Sequence, residues 1–274
     1  VKFSTMLEWA RKEFKISRIA TGHYARIKSF VDAEPLQAIG FDVAKRYQLL
    51  RGLDVNKDQS YFLYDLPQEV LGNVVFPLGE LTKEDTRREA NRYGLRTADK
   101  AESQDLCLVD HHGSMKAFLD AYLPPRKGEI VMKDGKIIGE HDGIEHFTIG
   151  QRKGLGVSWH EPLYVVGLES QANRVIVAPG AESGRSNCVV GSVNWVSIEP
   201  PVNLIQVEVQ LRYKSKPISA QLMPMSPIEK DKASLRPFRC RLDFLSDEFS
   251  VTPGQAAVFY VGDTLLGGGL IEGE

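Results

Sequence analysis

The stretch Ser114-Met115-Lys116-Ala117-Phe118-Leu119-Asp120-Ala121-Tyr122-Leu123-Pro124-Pro125-Arg126-Lys127-Gly128-Glu129-Ile130-Val131-Met132-Lys133-Asp134-Gly135-Lys136-Ile137-Ile138-Gly139 divides the chain into two kinds of structure. Its first part predicts a helix over 114–123, stopped at Pro124-Pro125 because proline lacks an amide donor and crowds the preceding turn. Its second part predicts a hairpin: 129–132 and 136–139 flank Asp134-Gly135, a pair suited to the positive φ angles of a tight turn. Helical periodicity does not return after this point.

Upstream, the pattern is mixed. Phe3, Leu7, Ala10 and Phe14 recur at helical spacing, with Lys2, Arg11, Lys12 and Lys15 available for the wet side. A strand-like run over 16–20 follows and ends in Thr21-Gly22-His23-Tyr24. Helix, strand and glycine turn in succession are the parts of a doubly wound α/β layer. Segments 24–28 and 47–51 are β-rich and flank a polar insertion. A second helix is predicted over 82–93, with Thr82 and Asp85 as a capping box and Gly94 at the stop. Downstream, a strand pair at 162–168 and 174–178 surrounds Gln171-Ala172-Asn173, and further runs lie at 189–196, 204–212, 218–222, 236–244 and 255–261. That series predicts a small β-barrel or sandwich. The fold class is therefore α/β followed by all-β, in three domains over 1–124, 125–187 and 188–274.

Composition narrows the function. The 274 residues are 26% charged and 42% hydrophobic, the mix of a folded chain. Lys plus Arg number 34 against 36 for Asp plus Glu, a net charge of −2, which excludes a wholly basic nucleic-acid binder; any such contact must use a local patch. Cys107, Cys188 and Cys240 are too few and scattered for a disulfide framework or an all-cysteine zinc site. No apolar run approaches the roughly 18 residues of a membrane span, and Val1-Lys2-Phe3-Ser4 has no signal-peptide core, so an intracellular chain is expected, cytoplasmic by default with an organellar form left open. Neither His111-His112 nor His141 with His146 has metal-ligand spacing, and no metal site is expected.

Several segments can carry chemistry. Cys107 lies among polar residues between two predicted helices, where a thiol is either reachable and reactive or inert in a short buried strand, Leu106 to Leu108. Cys188 and Cys240 sit in β-runs and are expected in the core. Gly22 and His23 follow a strand directly, as a ligand-facing turn or an ordinary strand exit. Lys57-Asp58-Gln59-Ser60-Tyr61-Phe62 combines a cation, two base-edge hydrogen-bonders and adjacent aromatics, a set suited to a splayed RNA base; as a structural element it is a helix start capped by Asp58. Gly150-Gln151-Arg152-Lys153-Gly154-Leu155-Gly156 matches neither a Walker loop nor a dinucleotide fingerprint, and reads as a basic turn able to meet a nucleic-acid backbone or as a solvated hairpin. Between Ile205 and Arg241 the basic residues are Arg212, Lys214, Lys216, Lys230, Lys232, Arg236, Arg239 and Arg241, against Glu208, Glu229 and Asp231. Leu211-Arg212-Tyr213-Lys214 thus looks like a phosphate-facing strand end with a stacking ring.

Taken in order, these segments resemble the tRNA-specific 2-thiouridylase family. The segments are 20–26 (Ala-Thr-Gly-His-Tyr-Ala-Arg), 57–63 (Lys-Asp-Gln-Ser-Tyr-Phe-Leu), Phe76-Pro77-Leu78-Gly79, Ser103-Gln104-Asp105-Leu106-Cys107, 148–156, Arg212-Tyr213, 252–260 and Leu266-Gly267-Gly268-Gly269. The resemblance implies part of an adenylation domain of the PP-loop ATPase, Rossmann-like kind, then a small β-rich central domain and a C-terminal β-barrel that binds tRNA. It implies that Gly22 lines an ATP site, with Mg²⁺ accompanying the nucleotide and no tightly bound metal. It implies that His23 contacts the tRNA near that site, and that Lys57, Asp58, Gln59, Arg212, Tyr213 and Gln255 bind its anticodon region. Cys107 would carry sulfur as a persulfide loaded by an upstream donor, a persulfide relay or a cysteine desulfurase system, and work with a second cysteine through a disulfide. In the family, ATP activates the 2-oxygen of the wobble uridine and sulfur replaces it.

The family's Ser-Gly-Gly-x-Asp-Ser phosphate loop, Asn-Pro-Asp segment and first catalytic cysteine are not found in these 274 residues. An N-terminally truncated enzyme, inactive alone, is the expectation. The alternative is a non-catalytic tRNA-binding or sulfur-carrying remnant.

Overall fold

The structure, a computed structural model, describes residues 2–29, 47–96, 98, 113–180, 184–225, 238–248 and 251–273. The chain forms two compact units, the first comprising 1–99, 186–246 and 253–274, the second 100–185 and 247–252.

The first unit begins with α1 (Lys2–Phe14), which buries Leu7 and Ala10 and leaves Met6, Trp9 and Phe14 exposed. After it, β1 (Ile19–Ala20) pairs in parallel with β4 (Val74–Val75), a shorter strand than the run over 16–20 predicts. β2 (Ala25–Ser29) and β3 (Tyr47–Arg51) form an antiparallel hairpin. A 3₁₀ turn spans Ser60–Leu63, α2 covers Gln68–Leu71, and α3 covers Lys83–Arg92. The capping box of α3 is present in full: Asp85 N–H donates to the Thr82 hydroxyl, and the Asp85 carboxylate accepts from Thr82 N–H; Gly94 follows at φ 63°. The Thr82 hydroxyl, then the Thr82 amide and the Arg88 guanidinium, all donating to the Asp85 carboxylate, hold its pKa below the ordinary value.

The barrel uses β9 (Arg185–Trp195), β10 (Ile205–Gln210), β11 (Ile218–Met225), β12 (Arg239–Glu248), β13 (Ala256–Val261) and β14 (Thr264–Ile271). Among the described residues these close in the order β13-β10-β11-β12-β9-β14, with β14 returning to β13. β14 also pairs outward with β3, Thr264 opposite Leu50 and Leu265 opposite Leu49, so the hairpin from the front of the chain extends the barrel sheet. Sequence pattern does not single out β14, because Gly267-Gly268-Gly269 has low strand propensity. The glycines are demanded by closure: a Cβ would lie 2.4 Å from Asn194 O at Gly267, 2.9 Å from Ala257 O at Gly268 and 2.4 Å from Gly191 O at Gly269. One core cluster joins Leu49, Tyr61, Leu63 and Leu71 to Val258, Tyr260 and Leu265. Polar fasteners add to it: Gln68 Nε2 donates to Tyr47 O and Val196 O at 2.7 Å each, and Asn194 Nδ2 donates to Tyr64 O at 2.9 Å.

The second unit carries α4 (Met115–Tyr122), whose first turn is capped by the Ser114 hydroxyl. Its sheet runs β6-β5-β8-β7, from β5 (Gly128–Met132), β6 (Ile137–His141), β7 (Leu163–Glu169) and β8 (Arg174–Pro179). Gly135 turns the β5–β6 hairpin at φ 87°, with Asp134 Oδ1 accepting from Lys136 N–H. Ile130, Leu155, Leu163, Val165, Val175 and Val177 form its core.

Candidate nucleic-acid interface

The turn after β1 is tied to the segment after β3. Tyr24 N–H donates to Gln59 Oε1 at 3.0 Å, and Gln59 N–H donates to Tyr24 O at 2.9 Å. Gln59 therefore clamps Thr21-Gly22-His23-Tyr24 onto 57–62. Within that turn, His23 Nδ1 lies 2.9 Å from the Thr21 hydroxyl, and its ring packs between Phe3 and Phe76 at 5.5 and 5.7 Å. Burial lowers its pKa from 6.5, so the imidazole is neutral at pH 7. Gly22 is exposed, and a Cβ there would meet only Leu78 Cδ1 at 3.6 Å. Internal packing thus does not require glycine at this position.

Asp58 is the hub of the next stretch. Its Oδ1 accepts from Gly52 N–H at 2.9 Å and Ser60 N–H at 3.0 Å; its Oδ2 accepts from the Ser60 hydroxyl at 2.9 Å and Arg51 Nη1 at 3.3 Å. The side chain is only 9% exposed, and Gln59 rather than Asp58 occupies the N-cap of the 3₁₀ turn. The Arg51 guanidinium lies 3.6 Å over the Tyr260 ring, and the Tyr260 hydroxyl is 3.0 Å from that of Ser60. Asp58 and Gln59 are thus spent on shaping the loop. This supporting network of Arg51, Ser60 and Tyr260 is invisible in sequence, since Ser60 and Tyr260 are 200 positions apart.

The 3₁₀ turn delivers two aromatics to the barrel. Tyr61 donates its hydroxyl to Ala256 O at 3.0 Å, next to the exposed Gln255. Burial, helped by Tyr64 and opposed by Arg212, pushes the Tyr61 phenol up to about 12, so it stays protonated as a donor. Phe62 is 55% exposed and its ring centroid lies 4.4 Å from that of Tyr213; Tyr61 reaches the same ring at 6.3 Å. Ser215 fastens the Tyr213 turn by donating its hydroxyl to Arg212 O at 2.9 Å. Lys214, at φ 63°, places Nζ 5.5 Å from the Tyr213 ring. A left-handed lysine is unusual and marks a turn whose shape is enforced by its surroundings.

The structure therefore gathers Gly22, His23, Lys57, Asp58, Gln59, Arg212, Tyr213 and Gln255 along one run of contacts within the first unit. Cys107, in the predicted link between helices, lies outside the described residues. Cys188 and Cys240 are both buried, and burial raises the Cys240 thiol pKa far enough to leave it inert. Among the described residues no group of three or more His, Cys, Asp or Glu can hold a metal ion.

Three family models cover most of the chain: a tRNA methyl transferase HUP domain over 1–111, a tRNA methyl transferase PRC-barrel domain over 116–179 and an aminomethyltransferase beta-barrel domain over 185–271. The chain is 68% identical over 272 residues to a tRNA-specific 2-thiouridylase MnmA of Prochlorococcus marinus (strain MIT 9303), covering 99% of this chain and 66% of that protein. It is 66% identical over 274 residues to the protein of the same name from Synechococcus sp. (strain CC9605), covering 100% of this chain and 69% of that one. The chain belongs to the tRNA-specific 2-thiouridylase family. It spans about two thirds of the length of the curated relatives it matches. The 2-thiouridylase architecture follows in order: a HUP domain, a PRC-barrel domain and a β-barrel. No helix of the described residues is long and apolar enough to cross a membrane.

Proposed function

We propose that this chain forms the tRNA-binding face and the sulfur-receiving segment of an enzyme that replaces the 2-oxygen of the wobble uridine by sulfur. The observation that carries this reading is the join between 57–62 and Arg212-Tyr213. There, exposed Phe62 and half-buried Tyr213 offer π-faces beside the cations Arg212 and Lys214. An unpaired anticodon base needs that combination, because stacking tolerates any base while the cations meet its phosphates. Asp58 and Gln59 contribute by holding the loop, and neutral His23 acts by hydrogen bonding or stacking rather than by charge.

The exit of β1 fits ATP. Ligands of open α/β sheets sit beyond the carboxyl ends of parallel strands, and Gly22, just past β1, lets a backbone approach that no internal contact uses. Bound there, ATP would supply the activation that turns the uridine 2-oxygen into a leaving group. Gly22 and Thr21 would border the nucleotide, and His23 would face the RNA beside it. Cys107 would carry the sulfane sulfur from an upstream donor; that terminal sulfur would attack the activated carbon as AMP leaves, and a second thiol would then break the S–S bond, leaving the sulfur on the uridine and a disulfide with Cys107. The location suited to this chemistry is the cytoplasm.

The test is tRNA binding by this chain. Phe62→Ala with Tyr213→Leu should weaken it at least about 10-fold, since stacking is worth ~1–3 kcal/mol per base. Unchanged affinity would remove the interface. For the sulfur step, persulfide label carried by the chain should vanish in Cys107→Ser; label retained on another cysteine refutes the assignment. Thiolated uridine formed with ATP and a sulfide source separates catalysis from sulfur carrying.

A further inference from the structure

The segment 149–156 of the second unit is held in one shape. Gly150 N–H donates to Val165 O at 2.7 Å, Val165 N–H returns a bond to Gln151 O at 2.9 Å, and Gln151 N–H reaches Thr148 O at 2.9 Å. The Gln151 side chain then stitches the loop from within, its Oε1 accepting from Thr148 N–H and its Nε2 donating to Lys153 O, each at 3.0 Å. Thr252 donates its hydroxyl to Ile149 O at 3.1 Å, and Leu155 is anchored in the core at 7% exposure. Gly150, Gly154 and Gly156 stand at φ 82°, 73° and 74°, and a Cβ at Gly156 would meet nothing, so backbone conformation alone calls for glycine there.

What this frame presents is unbalanced charge. Arg152 and Lys153 are exposed, and among the described residues neither side chain has a hydrogen bond or ion pair. Several carboxylates of the same unit are engaged elsewhere: Asp120 with Lys116 and His146, Glu129 with Arg174, Glu161 with His160. Among the described residues the amides of Arg152, Lys153 and Gly154 also donate to no protein acceptor. Free amides in a turn containing left-handed residues form a concavity for an anion, and two cations beside them add to its field.

We propose that this loop is a phosphate seat that grips the RNA backbone, a second contact on the other unit from the aromatic face. It rests on the chain's binding tRNA, and it reads no base. The test is equilibrium binding of a tRNA transcript to this chain over a series of NaCl concentrations. Each phosphate contact contributes a slope of about 0.7–0.9 in log K against log salt, so Arg152→Gln with Lys153→Gln should flatten the slope by about 1.5 and weaken binding roughly 20-fold at 0.15 M salt. Lys127→Gln, removing an exposed cation of the same unit, should change neither. An unchanged slope in the double variant, or an equal effect of Lys127→Gln, overturns the phosphate seat while leaving the aromatic interface standing. Absence of tRNA binding by the unsubstituted chain overturns both.

Discussion

Replacing Asp58 by alanine separates a loop-shaping carboxylate from one that touches RNA. The substitution removes the acceptor for two backbone amides, one hydroxyl and a guanidinium, all at 2.9–3.3 Å. Arg51 is 15% exposed and among the described residues its Nη2 already lacks a hydrogen-bond partner, so it would stay behind as a mostly buried charge. Breaking a buried pair from one side costs about 3–5 kcal/mol. Arg51 keeps Gln210 Oε1 at 3.2 Å and the face of Tyr260, which places the expected loss near the low end, about 3 kcal/mol. At a urea slope of roughly 2 kcal/mol per molar, the midpoint should fall by about 1.5 M. Tryptophan fluorescence can follow this, because Trp195 sits 7% exposed against Phe259 in the barrel. In an Arg51→Met background the same substitution should cost clearly less, since the stranded charge is gone. A wild-type urea midpoint combined with lost tRNA affinity would refute the reasoning and make Asp58 a direct reader of RNA.

Gly267→Ala should destabilise the barrel by about 3 kcal/mol or more, because its Cβ meets backbone that cannot swing aside; a melting temperature equal to wild type would contradict the tight closure. Thr82→Ala should cost about 1 kcal/mol and speed amide exchange at Asp85 and Thr86, which unchanged exchange would refute. Burial holds the His141 imidazole below its ordinary value of 6.5, so the unfolded chain takes up a proton that the folded chain resists. The stability this gives is complete above about pH 6.5 and is lost as pH falls below it; His141→Gln should flatten the fall in melting temperature between about pH 7 and pH 5, and an unaltered pH profile would exclude His141 as its source.

Local grammar was the legible part of this sequence. Thr82 with Asp85, the helix stop at Pro124-Pro125, and Asp134-Gly135 each encode a structure within four residues, and each is realised. β14 was not legible, because its glycines answer to strands approached across the barrel rather than to their own neighbours. The site was readable as a set of segments but not as an assembly. That Asp58 serves Arg51 and Ser60, or that Phe62 meets Tyr213, depends on register between strands far apart in the chain.

The pairing of β3 with β14 sets an order of events during synthesis. Leu49 and Leu50 have Ile27 and Arg26 of β2 on one side, but on the other side their sheet neighbours are Leu265 and Thr264, which a ribosome releases about 215 residues later. Contacts of such sequence separation form slowly, and until then β3 keeps an open edge and exposed apolar side chains. The aromatic face inherits this schedule, since Tyr61 reaches its acceptor at Ala256 only when that late segment has arrived. A chain that has not yet added that late segment therefore lacks the assembled aromatic face.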